Sequence, residues 1–155
     1  MFFNKHYAQA SVAFSRAGRK REVAICNAYV LREKARSIST AASVARAHAF
    51  IKAANAFITC ARDSPPNKNN ERLAYHGNAA ECYSEAHDFN NAGYHYRIAK
   101  EYAAAACAYQ EGGHFDEMKD VVIHHRNALK IDFLARSTTP ARMYYCVVWL
   151  NSRIF

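Results

Sequence analysis

The sequence predicts an all-α fold, an α-solenoid of short antiparallel helices built from thirteen-residue helical units, and three observations predict it. Alanine, the best helix former, recurs along the whole chain, while only 5 glycines and 3 prolines interrupt 155 residues. A hydrophobic content of 51% is enough to bury a core. Between Ala79 and Phe115 three segments align without gaps, AAECYSEAHDF, AGYHYRIAKEY and AACAYQEGGHF, with corresponding residues thirteen apart.

Each segment carries a small residue, an aromatic four later, a small residue seven later and an aromatic ten later. The positions are Ala79, Tyr83, Ala86, Phe89, then Ala92, Tyr96, Ala99, Tyr102, then Ala105, Tyr109, Gly112, Phe115. Offsets of 0, 4 and 7 share one face of an α-helix, and the fourth position falls in the turn or at the start of the next helix. A unit is therefore about ten helical residues and a tight turn, too short to persist alone because nucleation is costly. Stacking solves this: small residues let helices approach, and the tyrosines Tyr83, Tyr96 and Tyr109 act as core pegs between them rather than as a base-stacking platform. His87-Asp88, Lys100-Glu101 and Gly113-His114 occupy the slot where a left-handed residue and then a helix-starting residue are wanted.

From the start of the chain, Phe2 and Phe3 read as the end of a helix whose earlier turns lie outside the sequence. Ala10, Phe14 and Ala17 echo the repeat, with Gly18 as a C-terminal cap, and Ala53, Phe57 and Cys60 echo it more weakly. Between them the pattern predicts a helix from Glu22 to Arg36, with Ala24, Ala28, Leu31 and Ala35 on one stripe, and another from Thr40 to Arg62 capped by Ser39 or Thr40. Residues 1–62 thus form a basic part of three helices. The stretch 63–70, DSPPNKNN, reads as a loop because its prolines and asparagines interrupt a helix. Residues 71–136 form the short-helix part, ending in a helix with Asp116 and Glu117 at its start and His124, His125 and Arg126 toward its end, as the macrodipole prefers. Residues 137–155 form an irregular or short-helix tail, and the whole is one continuous domain.

The chain shows no secretory signal, and its longest strongly apolar run, Met143 to Leu150, is well below the roughly 20 residues that span a bilayer, so a soluble, intracellular protein is expected, in nucleus or cytoplasm. Cys26, Cys60, Cys82, Cys107 and Cys146 are odd in number and form no C-x-x-C pair, which predicts buried thiols rather than disulfides or a zinc site. The net charge of +8 is uneven: residues 1–62 hold 11 Lys or Arg against 2 acids, residues 63–155 hold 10 against 11.

The segments Phe14–Ser37 (FSRAGRKREVAICNAYVLREKARS), Ala56–Tyr83 (AFITCARDSPPNKNNERLAYHGNAAECY) and Gly112–Arg126 (GGHFDEMKDVVIHHR) resemble the tetratricopeptide-like (TPR-like) helical region of large fungal proteins that also carry a UvrD-like helicase domain, the TPR and ankyrin repeat-containing proteins. The likeness spans Phe3 to Lys130. Its period departs from a standard tetratricopeptide repeat of about 34 residues, since two thirteen-residue units make 26. The resemblance implies a fragment of a larger protein whose superfamily 1 helicase or ATPase activity lies in another domain. The five glycines here form no G-x-x-x-x-G-K-[ST] phosphate loop.

The expectation is a protein-interaction module with an unnamed protein partner, no catalytic residue, no cofactor and no metal. The alternative is an accessory nucleic-acid-binding segment using the basic N-terminal helices. Arg19, Lys20, Arg21, Arg32, Lys34 and Arg36 are the candidate contacts for phosphates or an acidic partner, weighed against a plain solvated helix surface. His124-His125 is the only adjacent histidine pair, and neighbours on a helix diverge by about 100°, so the two do not ligate one ion together.

Overall fold

The computed structural model describes residues 2–129, with side chains from residue 6 onward. These residues form α1 (Phe2–Arg16), α2 (Lys20–Ser37), α3 (Ser43–Arg62), α4 (Asn69–Glu85), α5 (Phe89–Ile98), α6 (Tyr102–Glu111) and α7 (Phe115–His124), and the chain turns helical again at 126–129. There is no strand among the described residues. The main packing runs between consecutive helices throughout the described residues, which is the organisation of a helical-repeat solenoid.

Direction follows from side-chain pairs. Ser11 meets Asn27 and Tyr7 meets Tyr29, so a step back along α1 is a step forward along α2. Arg46 meets Glu85 and Asn55 meets Tyr83, which sets α3 against α4 in the same sense. Alternate helices consequently run parallel. Arg21 reaches Glu71 and Arg32 reaches Asn78 from α2 to α4, and Arg97 reaches Asp120 from α5 to α7.

The thirteen-residue period has a backbone cause. After each peg tyrosine the chain closes two hydrogen bonds: His87 N to Ser84 O and Asp88 N to Tyr83 O, then Lys100 N to Arg97 O and Glu101 N to Tyr96 O, then Gly113 N to Gln110 O and His114 N to Tyr109 O, all at 2.8–3.1 Å. The middle residue is left-handed each time, with φ of 60° at His87, 64° at Lys100 and 74° at Gly113. This is the Schellman closure, and its last residue is also the N-cap of the next helix. Ten helical residues and a three-residue link make the period. The upstream echo is a full unit by this criterion: Gly18 has φ 70°, and Arg19 N donates to Phe14 O at 2.9 Å. At Ala53, Phe57 and Cys60 all three side chains are buried, but α3 runs on to Arg62 without the turn.

The packing matches the pattern. Ala79, Ala92 and Ala105 are fully buried, Tyr83 and Tyr109 are buried, and half-buried Tyr96 packs against both parts of the core. The larger part, centred on Phe50, Phe57, Tyr75 and Cys82, runs from α2 to α5 and takes in Ala108 of α6; the smaller joins α6 to α7 through Tyr109, Met118 and Val121. Each buried ring contributes about 1.5–3 kcal/mol. A Cβ on Gly93 would lie 2.6 Å from the Tyr109 ring, so this glycine is the socket for that peg. Phe89 lies against Gly112, and one unit later Tyr102 stacks on His125 at 3.7 Å, the same contact translated by thirteen residues.

Several expectations need correcting. Phe2 and Phe3 lie in a helix that continues to Arg16, so they do not end one. Ser39 and Thr40 do not cap α3, which begins at Ser43; the Ser39 hydroxyl accepts from Ala41 N in the preceding turn instead. The loop ends at residue 68, because Asn69 and Asn70 enter the first turn of α4, where backbone N–H groups need no intrahelical partner. The first unit's helix is not ten residues long but the end of the 17-residue α4. Ala24 is exposed; Ile25 and Cys26 pack inward in its place. The fading of the repeat through 131–135, the tail at 137–155 and Cys146 lie outside the described residues.

The left-handed positions make a stability test. Lys100→Gly and His87→Gly remove a Cβ from a strained φ and should each stabilise by about 1 kcal/mol, whereas Gly113→Ala should destabilise by about as much, read as shifts in the urea unfolding midpoint.

Candidate interaction surface

At 3.6 residues per turn, Arg21, Arg32 and Arg36 of α2 fall within about 60° of one another, and Lys20 and Lys34 fall on the opposite side. On α4 the polar residues Glu71, Asn78, Glu81 and Glu85 fall within about 80°. Since α2 and α4 run parallel with α3 between them, these two stripes meet across α3.

They form a ladder in constant register. Arg21 Nη2 donates to Glu71 Oε2 at 2.6 Å, Asn78 donates to the Tyr29 hydroxyl at 3.3 Å, and Arg32 Nη1 donates to Asn78 Oδ1 at 2.9 Å and pairs with Glu81 at 3.5 Å. Lys68 and Arg21 together hold the Glu71 carboxyl below its ordinary range. Arg32 is deeply set, 14% exposed, with its guanidinium over the rings of Tyr29 at 5.1 Å and Phe57 at 5.6 Å. Such a desolvated cation over two rings contributes on the order of 2 kcal/mol. Beyond this rung a cleft of ≈ 300 Å³ opens, lined by Arg32, Arg36, Phe50, Glu81, Glu85 and Tyr96 among others. Burial pushes the Tyr96 phenol up to about 12, with Ser84 offsetting part of the rise.

The six basic candidates are thereby divided. Arg21 and Arg32 point into the α2–α4 ladder. Arg19 pairs with Glu22 and lies over Phe14, and Arg36 donates to Glu33 at 2.8 Å, both within a turn of their own helix. Lys20 and Lys34 stand exposed on the other side of α2. The structure does not bring the six together as one patch. The residues that sequence reasoning passed over are the α4 partners Glu71, Asn78, Glu81 and Glu85, and Arg46 of α3. Their signal was available as matching polar stripes on two helices, but pairing them needs the knowledge that α3 places those helices side by side.

A second polar feature joins α4 to α5. His76 Nδ1 and His95 Nδ1 are 3.1 Å apart, with ring planes within 12° and centroids 5.2 Å apart. That centroid distance leaves only the nitrogen–nitrogen gap and the two ring radii, so the rings meet edge to edge in nearly one plane and share one N–H···N bond. One imidazole must donate and the other accept, which requires an unprotonated partner. Burial, then His76, lowers His95 to about 4, and burial lowers His76, with Arg72 adding to it.

Burial raises the thiols of Cys26 and Cys60 and pushes that of Cys82 up to about 12, so they remain neutral thiols at physiological pH. His124 bonds to Asp120 while His125 stacks on Tyr102, so the adjacent histidines diverge, and among the described residues no group of three metal-ligating side chains converges. No described helix is long and apolar enough to cross a membrane. No family model, no curated protein and no solved structure matches the chain.

The histidine pair makes stability depend on pH. Both imidazoles have folded values below the ordinary 6.5, so their neutral forms stabilise fully above that value, and the contribution is lost as pH falls from 6.5 toward the folded value of about 4. Denaturation across this window should show stability falling by up to about 1.4 kcal/mol per pH unit per imidazole, and His95→Phe should flatten the slope.

Proposed function

We propose that the chain is a helical-repeat protein-interaction module, not itself catalytic, that serves as a segment of a larger helicase-containing protein and holds its protein partner along the α2–α4 face. The observation that carries this reading is the cleft on that face. At Gly93 the stack fills the space with its own Tyr109 ring, while on the α2–α4 face an apolar floor with charged walls stays open. Pockets with an apolar lining and a few placed polar groups are where binding concentrates. The helicase context rests on the resemblance of Phe14–Ser37, Ala56–Tyr83 and Gly112–Arg126.

Accessory nucleic-acid binding through the basic N-terminal helices is the competing reading. Arg21 and Arg32 are held in the α2–α4 ladder and Arg19 and Arg36 pair within a turn of their own helix, so the six candidates form no continuous patch; Lys20 and Lys34 stand on the outer side of α2, fourteen residues or about 21 Å apart. Two separated lysines neutralise few phosphates, and affinity scales with that number.

Retention on immobilised DNA separates the two readings. The purified chain should pass through at 200 mM salt, and Lys20→Glu with Lys34→Glu should change nothing. Retention that falls steeply with salt and disappears in the double variant would establish the nucleic-acid reading instead. ATP turnover above background would overturn the non-catalytic assignment.

A further inference from the structure

The α2–α4 ladder has a register, and the register leaves one rung unmade. Arg21 meets Glu71, Tyr29 meets Asn78 and Arg32 meets Glu81, each pair separated by forty-nine or fifty positions. The next pair at that spacing is Arg36 and Glu85, of opposite charge and one helical turn further on. They do not meet. Arg36 folds back onto Glu33, and Glu85 is taken by Arg46 Nη2 at 2.9 Å. Arg46 has a reason to stand there: its Nη1 donates to the carbonyls of Arg36 and Ile38 at the end of α2, at 3.2 and 3.1 Å, and so bridges that end of α2 to Glu85 of α4. Arg36 is 48% exposed and Glu85 51%, against 14% for Arg32.

The cleft lies at the missing rung. One wall carries a cation on α2 and the other an anion on α4, above Phe50 and Tyr96. An isolated anion such as a phosphate would gain Arg36 but face Glu81 and Glu85, and an isolated cation would meet the reverse problem. The complementary occupant is a neutral pair of opposite charges flanking an apolar group. At ≈ 300 Å³ the space takes one sizeable side chain, and the half-exposed walls let its neighbours reach the two charges.

We infer that this open rung is the partner's docking point, and that it accepts a peptide segment carrying one large apolar side chain between an acidic residue, which pairs with Arg36, and a basic residue, which pairs with Glu85. The inference rests on the protein-interaction reading and adds the chemistry of the partner to it. Arg46 stays where it is, because its carbonyl contacts at the end of α2 do not depend on the occupant.

The test is selection of random twelve-residue peptides displayed on phage, carried out on the immobilised chain, on Arg36→Glu and on Ser84→Trp, which fills the cleft; circular dichroism checks that each variant is folded. The wild-type chain should enrich peptides with an apolar residue between an acid and a base. Arg36→Glu should exchange the acid for a second base, and Ser84→Trp should weaken the enriched peptides at least tenfold. Recovery of the same peptides from wild type and Arg36→Glu would sink the docking point and leave the scaffold reading standing, and that comparison decides the matter even if Ser84→Trp does not fold. Failure to enrich any peptide, together with salt-sensitive DNA retention, would sink both. Micromolar self-association abolished by Ser84→Trp would make the occupant a second copy and overturn the peptide assignment.

Discussion

The structure depends on one economy of the backbone: the residue that ends one short helix's Schellman closure is also the N-cap of the next. Asp88, Glu101 and His114 each donate their N–H back to the peg tyrosine's carbonyl and accept, through their own carbonyl, the first hydrogen bond of the following helix. A ten-residue helix would otherwise leave about two-fifths of its backbone groups at unsatisfied ends. With the link held to three residues, neighbouring helices return antiparallel at close range, and the alternation of alanine and tyrosine follows from the space that remains. Asp88 goes further and accepts from Asn91 N with its side chain.

The two halves of the stack solve the same problem with different chemistry. In α5–α7 the helices are ten residues each and the interfaces consist of rings against small residues, with Arg97–Asp120 as an outer tie. In α2–α4 the helices are 17 to 20 residues long, and charged side chains cross over α3 to join its neighbours. That polar ladder accounts for part of the lopsided charge. Three of the eleven early cations, Arg21, Arg32 and Arg46, are answered by the glutamates of α4, which follow the loop.

Much of the fold was legible. The period, the left-handed slot at His87, Lys100 and Gly113, the cap at Gly18 and the burial of Tyr83 and Tyr109 all follow from local geometry that residue types report directly. Helix starts were less legible: Asn69 and Asn70 look like loop residues because asparagine is poor in a helix interior, yet the first turn makes no such demand. Ala24 was placed inward by a four-residue stripe, but alanine is compatible with either face and only Ile25 and Cys26 reveal which side of α2 meets the core.

The candidate surface divided differently. Residue types and spacing determined that the chain is a stack of helices, where the short ones turn, and that arginine is concentrated on α2, because those properties depend on neighbours within one or two turns. Only the tertiary structure decided that Arg21 and Arg32 are consumed in ion pairs, that Lys20 and Lys34 face away, and that Arg36 and Glu85 stand apart across a cleft. Those outcomes depend on which helix lies beside which at what register, and a side chain's charge says nothing about that until a distant partner some fifty residues along the chain has been brought within hydrogen-bond reach.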